Sequence, residues 1–136
     1  MRYTITEHKR VILLLFIHVL KMHEMSYAEA ILENVLRIAE RNGAREVKKV
    51  HLVIGELLLI NPEQLRFCLS AISRDTPMEN AEIEIEFSKA SIRCIKCGRS
   101  YDSPLGVCEC GGFVSVDGGK EMILKSLVME VEDAQD

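Results

Sequence analysis

Four of the five cysteines lie in one short stretch, and their spacing is that of a metal site. Two residues separate Cys94 from Cys97, and Gly98 follows directly. This is the pattern of a zinc knuckle, in which two thiolates reach one ion and the glycine permits a tight turn. Cys108 and Cys110 supply a second pair, with one residue between them where two are usual. Four soft sulfur donors favour a closed tetrahedral zinc site, which has no open position for a substrate and is therefore structural.

Free thiols and a pair of disulfides are the alternatives for this cluster. The odd cysteine total and the tight clustering favour a metal in a reducing compartment over both. A redox Cys-x-x-Cys is disfavoured, because it is expected at a helix start within a βαβ pattern that is not evident here. The fifth cysteine, Cys68, lies on the apolar stripe of a predicted helix and is interpreted as a small core residue.

A second stretch of possible metal donors, Met22-His23-Glu24, immediately precedes a predicted helix. A single histidine beside a helix start is usually a surface residue, so these residues alone make a weak signal. The other histidines are interpreted as polar residues without a metal role: His8, His18 and His51.

Two helices and three strands must position these residues. The capping-box pattern from Ser26 to Glu29 starts the first helix, and Asn42-Gly43 ends it. The second helix starts at Asn61-Pro62, with asparagine as the cap and proline at the first helical position. Alternating apolar residues predict three strands, at 47–56, 81–87 and 122–131.

The predicted order of elements is helix, strand, helix, strand, cysteine module, strand. The expected fold class is therefore α+β: a three-stranded sheet with two helices, plus a zinc-ribbon-like four-cysteine module inserted before the last strand. Residues 22–89 and 119–133 would form an α/β domain that includes the possible metal donors Met22, His23 and Glu24. Residues 90–118 would form the zinc-binding module and residues 1–21 an N-terminal extension.

Composition excludes several classes of protein. The net charge of −4 argues against a dedicated nucleic-acid binder, and the low aromatic content without tryptophan argues against a base-stacking surface. The apolar run from Val11 to Leu20 is too short to span a bilayer, and no clear cleavage site follows it. We expect a cytoplasmic protein whose extension is either a helix packed on a partner surface or sequence upstream of a start at Met22.

Several segments together resemble the HypA family. They are Met-His-Glu-Met-Ser at 22–26, Val-Ile-Gly-Glu-Leu at 53–57, Asn-Pro-Glu-Gln-Leu-Arg-Phe at 61–67, and the alternating strand that leads into the cysteine module. The resemblance covers Met22 to about Asp133. It implies a nickel metallochaperone for the maturation of nickel-iron hydrogenase, and in some bacteria of urease, that works with a HypB-like GTPase.

The resemblance also implies where nickel binds. The donors would be the amine of Met22, the imidazole of His23 and the backbone amides of His23 and Glu24. Divalent nickel accepts nitrogen donors in a square plane, and affinity should fall at low pH because protons compete for them. The Met22 amine is available only in a chain that begins at Met22. Glu56, in the family-like Gly-Glu-Leu segment, would be a helper near this terminus.

The predicted function is therefore a binding and transfer protein, not an enzyme, with Ni(II) as cargo and Zn(II) as a structural ion. Its partners would be a HypB-like GTPase and the hydrogenase large subunit, together with a second copy in a homodimer or domain-swapped oligomer. Neither nucleic acid nor membrane is expected as a partner. The alternative is a zinc-ribbon module that binds nucleic acid or protein, since Arg93, Lys96 and Arg99 give it local positive charge.

Overall fold

The computed structural model describes residues 3–5, 15–16, 24–102 and 106–133 of the chain. Two helices, α1 and α2, and eight strands, β1 to β8, are formed by these residues, with a short 3₁₀ turn after β3. In chain order the elements are β1 Tyr3–Ile5, β2 Leu15–Phe16, α1 Glu24–Arg41, β3 Ala44–Gly55, the 3₁₀ turn Glu56–Leu58, α2 Pro62–Ile72, β4 Glu82–Ser88, β5 Ser91–Cys94, β6 Ser100–Tyr101, β7 Val114–Asp117 and β8 Met122–Asp133.

The strands form two separate sheets. The larger sheet has the order β1-β8-β3-β4, with β2 also paired to β8. Strands β3 and β4 are parallel, and β8 is antiparallel to β3. The smaller sheet, β6-β5-β7, has Cys94 as the last residue of its central strand and lies in the chain between β4 and β8. The predicted α+β class, with two helices, a sheet containing the three predicted strands β3, β4 and β8, and an inserted cysteine module, is confirmed; β1 and β2 extend that sheet to five strands.

One apolar core joins the two helices to the larger sheet. Its buried members come from α1, α2, β3 and β8, together with Ile60 and Met78 from loops, and the inward residues of β4 pack against it only partly buried. The alternation of Val50, Leu52 and Ile54 on β3 places these three side chains in the core, as predicted. Phe87 continues the alternation of Ile83 and Ile85 on β4 but is 45% exposed, because it lies near the end of an edge strand.

Irregular pairing explains a change of alternation in β8. Met122 and Leu124 are buried, and so are Leu127 and Met129. The first pair has even residue numbers and the second pair odd ones, so a regular strand would place the two pairs on opposite faces. The pairing with β3 shifts register between His51 and Leu52, which is the signature of a β-bulge. The extra residue in β8 turns both halves of the strand toward the same core.

The start of α2 lies where the sequence predicted it, and the start of α1 does not. The side chain of Asn61 accepts hydrogen bonds from the backbone N–H groups of Glu63 and Gln64, at 3.0 and 3.2 Å, and Pro62 is the first helical residue. This cap was predicted and is confirmed. Helix α1 begins at Glu24, two residues before the predicted capping residue Ser26, so the capping-box prediction is wrong in position.

One of the two expectations for the extension was a packed helix, whereas its described residues form strands. Strand β1 pairs with the end of β8, and β2 pairs with its beginning through Leu15↔Leu124 and Phe16↔Ile123. Short apolar runs fit either a helix or a strand, so periodicity could not decide between them. None of the helices formed by the described residues is long and apolar enough to cross a membrane.

Candidate metal centre

The four clustered cysteines converge on one point in the small sheet. Their Sγ atoms all lie within 4.8 Å of one another. The Cys94 and Cys110 sulfurs are 3.5 Å apart, and the Cys97 and Cys108 sulfurs are 3.6 Å apart. A tetrahedral zinc ion with bonds of about 2.3 Å would place its sulfur ligands about 3.8 Å apart. The sulfur positions therefore fit one ion of that size.

The first pair lies in a knuckle whose backbone faces the sulfur. The N–H groups of Lys96 and Cys97 both donate to Cys94 Sγ at 3.4 Å. The Gly98 N–H donates to the Cys94 carbonyl oxygen at 3.0 Å and closes the turn. Gly98 has a φ of 78°, a conformation that favours glycine. The local sequence thus folds into a turn that stabilises a thiolate at Cys94.

The second pair closes despite its short spacing. The Cys108 N–H donates to the Gly112 carbonyl at 2.8 Å, and the Gly111 N–H donates to the Cys108 carbonyl at 2.9 Å. Gly112 has no space for a side chain, since a Cβ there would lie 2.6 Å from Lys96 Cβ and 2.9 Å from Cys94 Sγ. The two knuckles therefore pack directly against each other, and a single intervening residue still brings both sulfurs to the cluster.

Tyr101 is part of this centre, although its sequence position did not predict this role. Its hydroxyl lies 2.8 Å from Cys108 Sγ. This hydrogen bond, and after it the backbone N–H of Cys110, lowers the pKa of the Cys108 thiol to about 6. A tyrosine seven residues before a cysteine has no established motif, so no sequence signal pointed to the contact.

The four thiols cannot all ionise without a cation. The Cys97 N–H, followed by other donors that outweigh burial, lowers the pKa of Cys94. The pKa of Cys110 is raised to about 12: the Gly112 N–H favours its thiolate, but the neighbouring sulfurs of Cys94 and Cys108 and its desolvation outweigh that bond. A bound divalent ion removes this repulsion, so the donor set fits zinc.

The other predicted donors lie at the start of α1. Met22 and His23 fall outside the described residues, and Glu24 is the first residue of the helix. The Glu24 carboxylate accepts a hydrogen bond from the backbone N–H of Asn61 at 3.3 Å, which ties the start of α1 to the start of α2. Asn61 was predicted only as a cap for its own helix.

The remaining candidates have structural surroundings. Cys68 is buried in the core, as predicted, and His51 is half-buried on β3. The carboxylate of Glu56 accepts a hydrogen bond from the Ala90 N–H at 3.0 Å, between β4 and the cysteine module. The sequence did not predict this contact between Glu56 and Ala90.

Comparison with known proteins identifies the family. The family model described as "Hydrogenase/urease nickel incorporation, metallochaperone, hypA" matches residues 22–129. The hydrogenase maturation factor HypA of Archaeoglobus fulgidus is 56% identical over 110 residues, which is 81% of this chain and all of that relative. The HypA of Methanocaldococcus jannaschii is 36% identical over 126 residues, covering 82% of this chain and all of that relative.

Solved structures agree with this assignment. The solution structure of the Ni metallochaperone HypA from Helicobacter pylori superimposes with a TM-score of 0.59 at 25% identity, over 81% of this chain and 99% of that one. A second HypA solution structure shares the fold, with a TM-score of 0.60 at 24% identity over 80% of this chain and 97% of that one. The match of sequence, fold and cysteine cluster shows that the chain belongs to the HypA family of nickel metallochaperones, which act in hydrogenase maturation.

Proposed function

We propose that the chain binds Ni(II) at Met22, His23 and Glu24, delivers it to a nickel-iron hydrogenase, and holds a structural Zn(II) at Cys94, Cys97, Cys108 and Cys110. The observation that carries the nickel proposal is the beginning of the family match at Met22, directly before α1. The hydrogen bond between Glu24 and Asn61 supports this proposal, because it fixes the first residue of α1, which directly follows Met22 and His23 in the sequence.

The two metals would have different roles because their donors differ. Four thiolates in a closed cluster hold zinc with no vacant position, which suits a permanent structural ion. An amine, an imidazole and backbone amides at a chain end bind nickel in a square plane. Such a terminal site can release its ion by stepwise loss of donors, which suits cargo that must be passed on.

Transfer would involve partner proteins and no chemical step of the chain's own. By family membership the partners would be a HypB-like GTPase and the large subunit of a nickel-iron hydrogenase, and the place of action the cytoplasm. The family description also includes urease, so a urease is a second recipient class to test. Self-association as a homodimer or domain-swapped oligomer would involve a second copy of the chain.

The test is nickel titration of two versions of the protein, one beginning at Met1 and one at Met22, both loaded with zinc. Calorimetry would give the stoichiometry, and visible absorption would report square-planar geometry. Each version is compared with His23→Ala and with the matched control His51→Ala. His51 is suitable because its Nε2 atom is buried without a hydrogen-bond partner among the described residues, so no bond is lost with it.

We expect one square-planar nickel in the Met22 version, its loss in His23→Ala, and its retention in His51→Ala. In the Met1 version the Met22 amine is part of a peptide bond, so the affinity should be at least tenfold weaker. Nickel binding that is insensitive to His23→Ala in both versions would refute the proposed site, and no nickel binding by any version would refute the metallochaperone function for this chain.

A further inference from the structure

Two chain segments connect the cysteine module to the larger sheet, and both contact the end of β3. The Gly55 N–H donates to the Glu121 carbonyl at 2.7 Å, and the Leu57 N–H donates to the Gly119 carbonyl at 2.8 Å. Between them, the Glu56 carboxylate accepts the Ala90 N–H at 3.0 Å. Residues 55–57 thus bind both connections: residues 119–121, where the chain leaves the module, and Ala90, where it enters the module.

The packing at this point leaves no space for adjustment. A Cβ on Gly55 would lie 2.2 Å from the carbonyl carbon and oxygen of Gly119. Gly119 itself has a φ of 82°, and a Cβ there would lie 2.8 Å from Ala90 Cβ and 3.0 Å from a side-chain carbon of Leu57. Backbone therefore packs on backbone at Gly55, and Gly119 packs against the side chains of Ala90 and Leu57, so a tilt of the module would break these contacts.

The two connecting segments are also tied to each other. The Ser88 hydroxyl donates to the Glu121 carboxylate at 2.6 Å, and this bond, which outweighs desolvation, holds the pKa of Glu121 below its usual value. The carboxylate is therefore charged near neutral pH, and its bond to Ser88 is a strong one. The segment that enters the module and the segment that leaves it are therefore linked and should move together.

The same stretch of chain reaches the start of α1 at its other end. After the 3₁₀ turn, Leu59 adopts a left-handed conformation with a φ of 55°, which redirects the chain toward α2. Two residues later, the Asn61 N–H donates to the Glu24 carboxylate at 3.3 Å. Residues 55–61, here called the joint segment, thus contact the module's connections at one end and the first residue of α1 at the other.

We propose that the joint segment sets the orientation of the four-cysteine module relative to the start of α1, and that Glu56 is its positioning residue. Glu56 holds the entering segment through a side chain, whereas Gly55 and Leu57 hold the leaving segment through backbone bonds. Loss of the Glu56 carboxylate therefore frees Ala90 without removing any other described bond of the joint. The consequence for nickel delivery rests on the proposed function, but the orientation itself does not.

The test measures module orientation in the full, zinc-loaded, nickel-free chain by NMR residual dipolar couplings. Backbone N–H couplings of the larger sheet and of residues 91–117 are fitted separately, and the two alignment tensors are compared. The variants are Glu56→Ala, Glu56→Gln, which keeps an acceptor oxygen, and the matched control Glu29→Ala on the exposed face of α1. Hydrogen exchange of the Ala90 amide is measured on the same samples.

In the unmodified chain and in Glu29→Ala, we expect one tensor to fit both parts. In Glu56→Ala, the tensor of the module should differ in magnitude or direction, and the Ala90 amide should exchange about tenfold faster. Glu56→Gln should restore a common tensor. A common tensor in Glu56→Ala would overturn the proposal, as would an equal effect of Glu29→Ala, or a module tensor in Glu56→Gln like that of Glu56→Ala.

The tensor measurement is repeated on the same variants in the version of the protein that begins at Met22, and nickel is then added to those samples. If the tensor test succeeds and no protein binds nickel, the joint stands and the proposed function fails. If nickel binds and the Glu56→Ala tensors coincide, the proposed function stands and the joint fails. The two ideas are therefore separated by one set of samples.

Discussion

At the scale of single residues, the metal centre depends on groups that are not ligands. The hydroxyl of Tyr101 contacts the Cys108 sulfur, and the missing side chain of Gly112 lets the two knuckles meet. The four ligands were predictable because cysteine spacing is a strong local signal. Tyr101 was not, because its contact depends on how β6 pairs with β5. Supporting contacts of this kind orient ligands and adjust their basicity.

Replacing Tyr101 by phenylalanine should weaken zinc binding in a pH-dependent way. Protons compete with zinc for the thiolate, and the hydroxyl lowers the pKa of Cys108 to about 6. Without it that pKa rises toward the ordinary thiol value of about 8.5. Zinc binding between these pH values must then displace more protons, so affinity falls by about tenfold and falls more steeply as the pH drops. Competition titration with a chromophoric chelator across this range measures the effect, with Tyr27→Phe as control, and a pH profile unchanged by Tyr101→Phe would contradict it.

Replacing Gly112 by alanine should damage the same site by crowding. The added Cβ would meet Lys96 Cβ at 2.6 Å and Cys94 Sγ at 2.9 Å, so one knuckle must shift. Overpacking of this kind costs about 1–3 kcal/mol, which corresponds to a loss of zinc affinity of about 5- to 160-fold. Gly106→Ala is the control, because a Cβ there meets nothing within 4 Å. The same chelator competition applies, and equal affinities for the two variants would show that the contact is not restrictive.

At the scale of elements, local signals predicted the start of α2 better than the start of α1. Asn61-Pro62 places the cap of α2 correctly, because both preferences act within three residues. The Ser26 pattern misplaces the start of α1, where Glu24 instead finds a distant partner in the Asn61 backbone. The bulge in β8 was equally inaccessible, because it depends on the register with β3. Tertiary contacts decided both features.

Replacing Asn61 by alanine should destabilise the fold by about 1 kcal/mol. The variant loses the side-chain oxygen that accepts two N–H bonds of the first turn of α2, while the backbone bond to Glu24 remains. Urea unfolding of the zinc-loaded protein, followed by circular dichroism, measures the change. Asn34→Ala inside α1 is the matched control, and should alter stability by no more than about 0.5 kcal/mol because alanine favours helix interiors. A cap variant as stable as this control would contradict the role assigned to Asn61.

At the scale of the whole molecule, β8 connects β1 and β2 to the rest of the larger sheet. It pairs with β3 along its length and also with β1 and β2. The return of this strand to the sheet after the cysteines was predictable, because its apolar residues have no other core to join. The pairing of the first residues was not, because nothing in their sequence specifies a partner strand. The cysteine module and the α/β core are therefore built on two separate sheets of the same chain.

Zinc removal should therefore unfold the module and spare the α/β core. Among the described residues of the module, the buried side chains are those of Ile92, Cys94 and Cys108, while Ile95 and Phe113 are each 71% exposed. The apolar core contains no module residue, so its burial does not depend on the ion. A chelator should collapse the amide shift dispersion of residues 91–117 in a ¹⁵N–¹H spectrum and leave the helical circular dichroism nearly intact, with full recovery on adding zinc back. Simultaneous loss of both signals would mean that the core needs the metal-bound module, and an unchanged spectrum would mean that the module folds without metal.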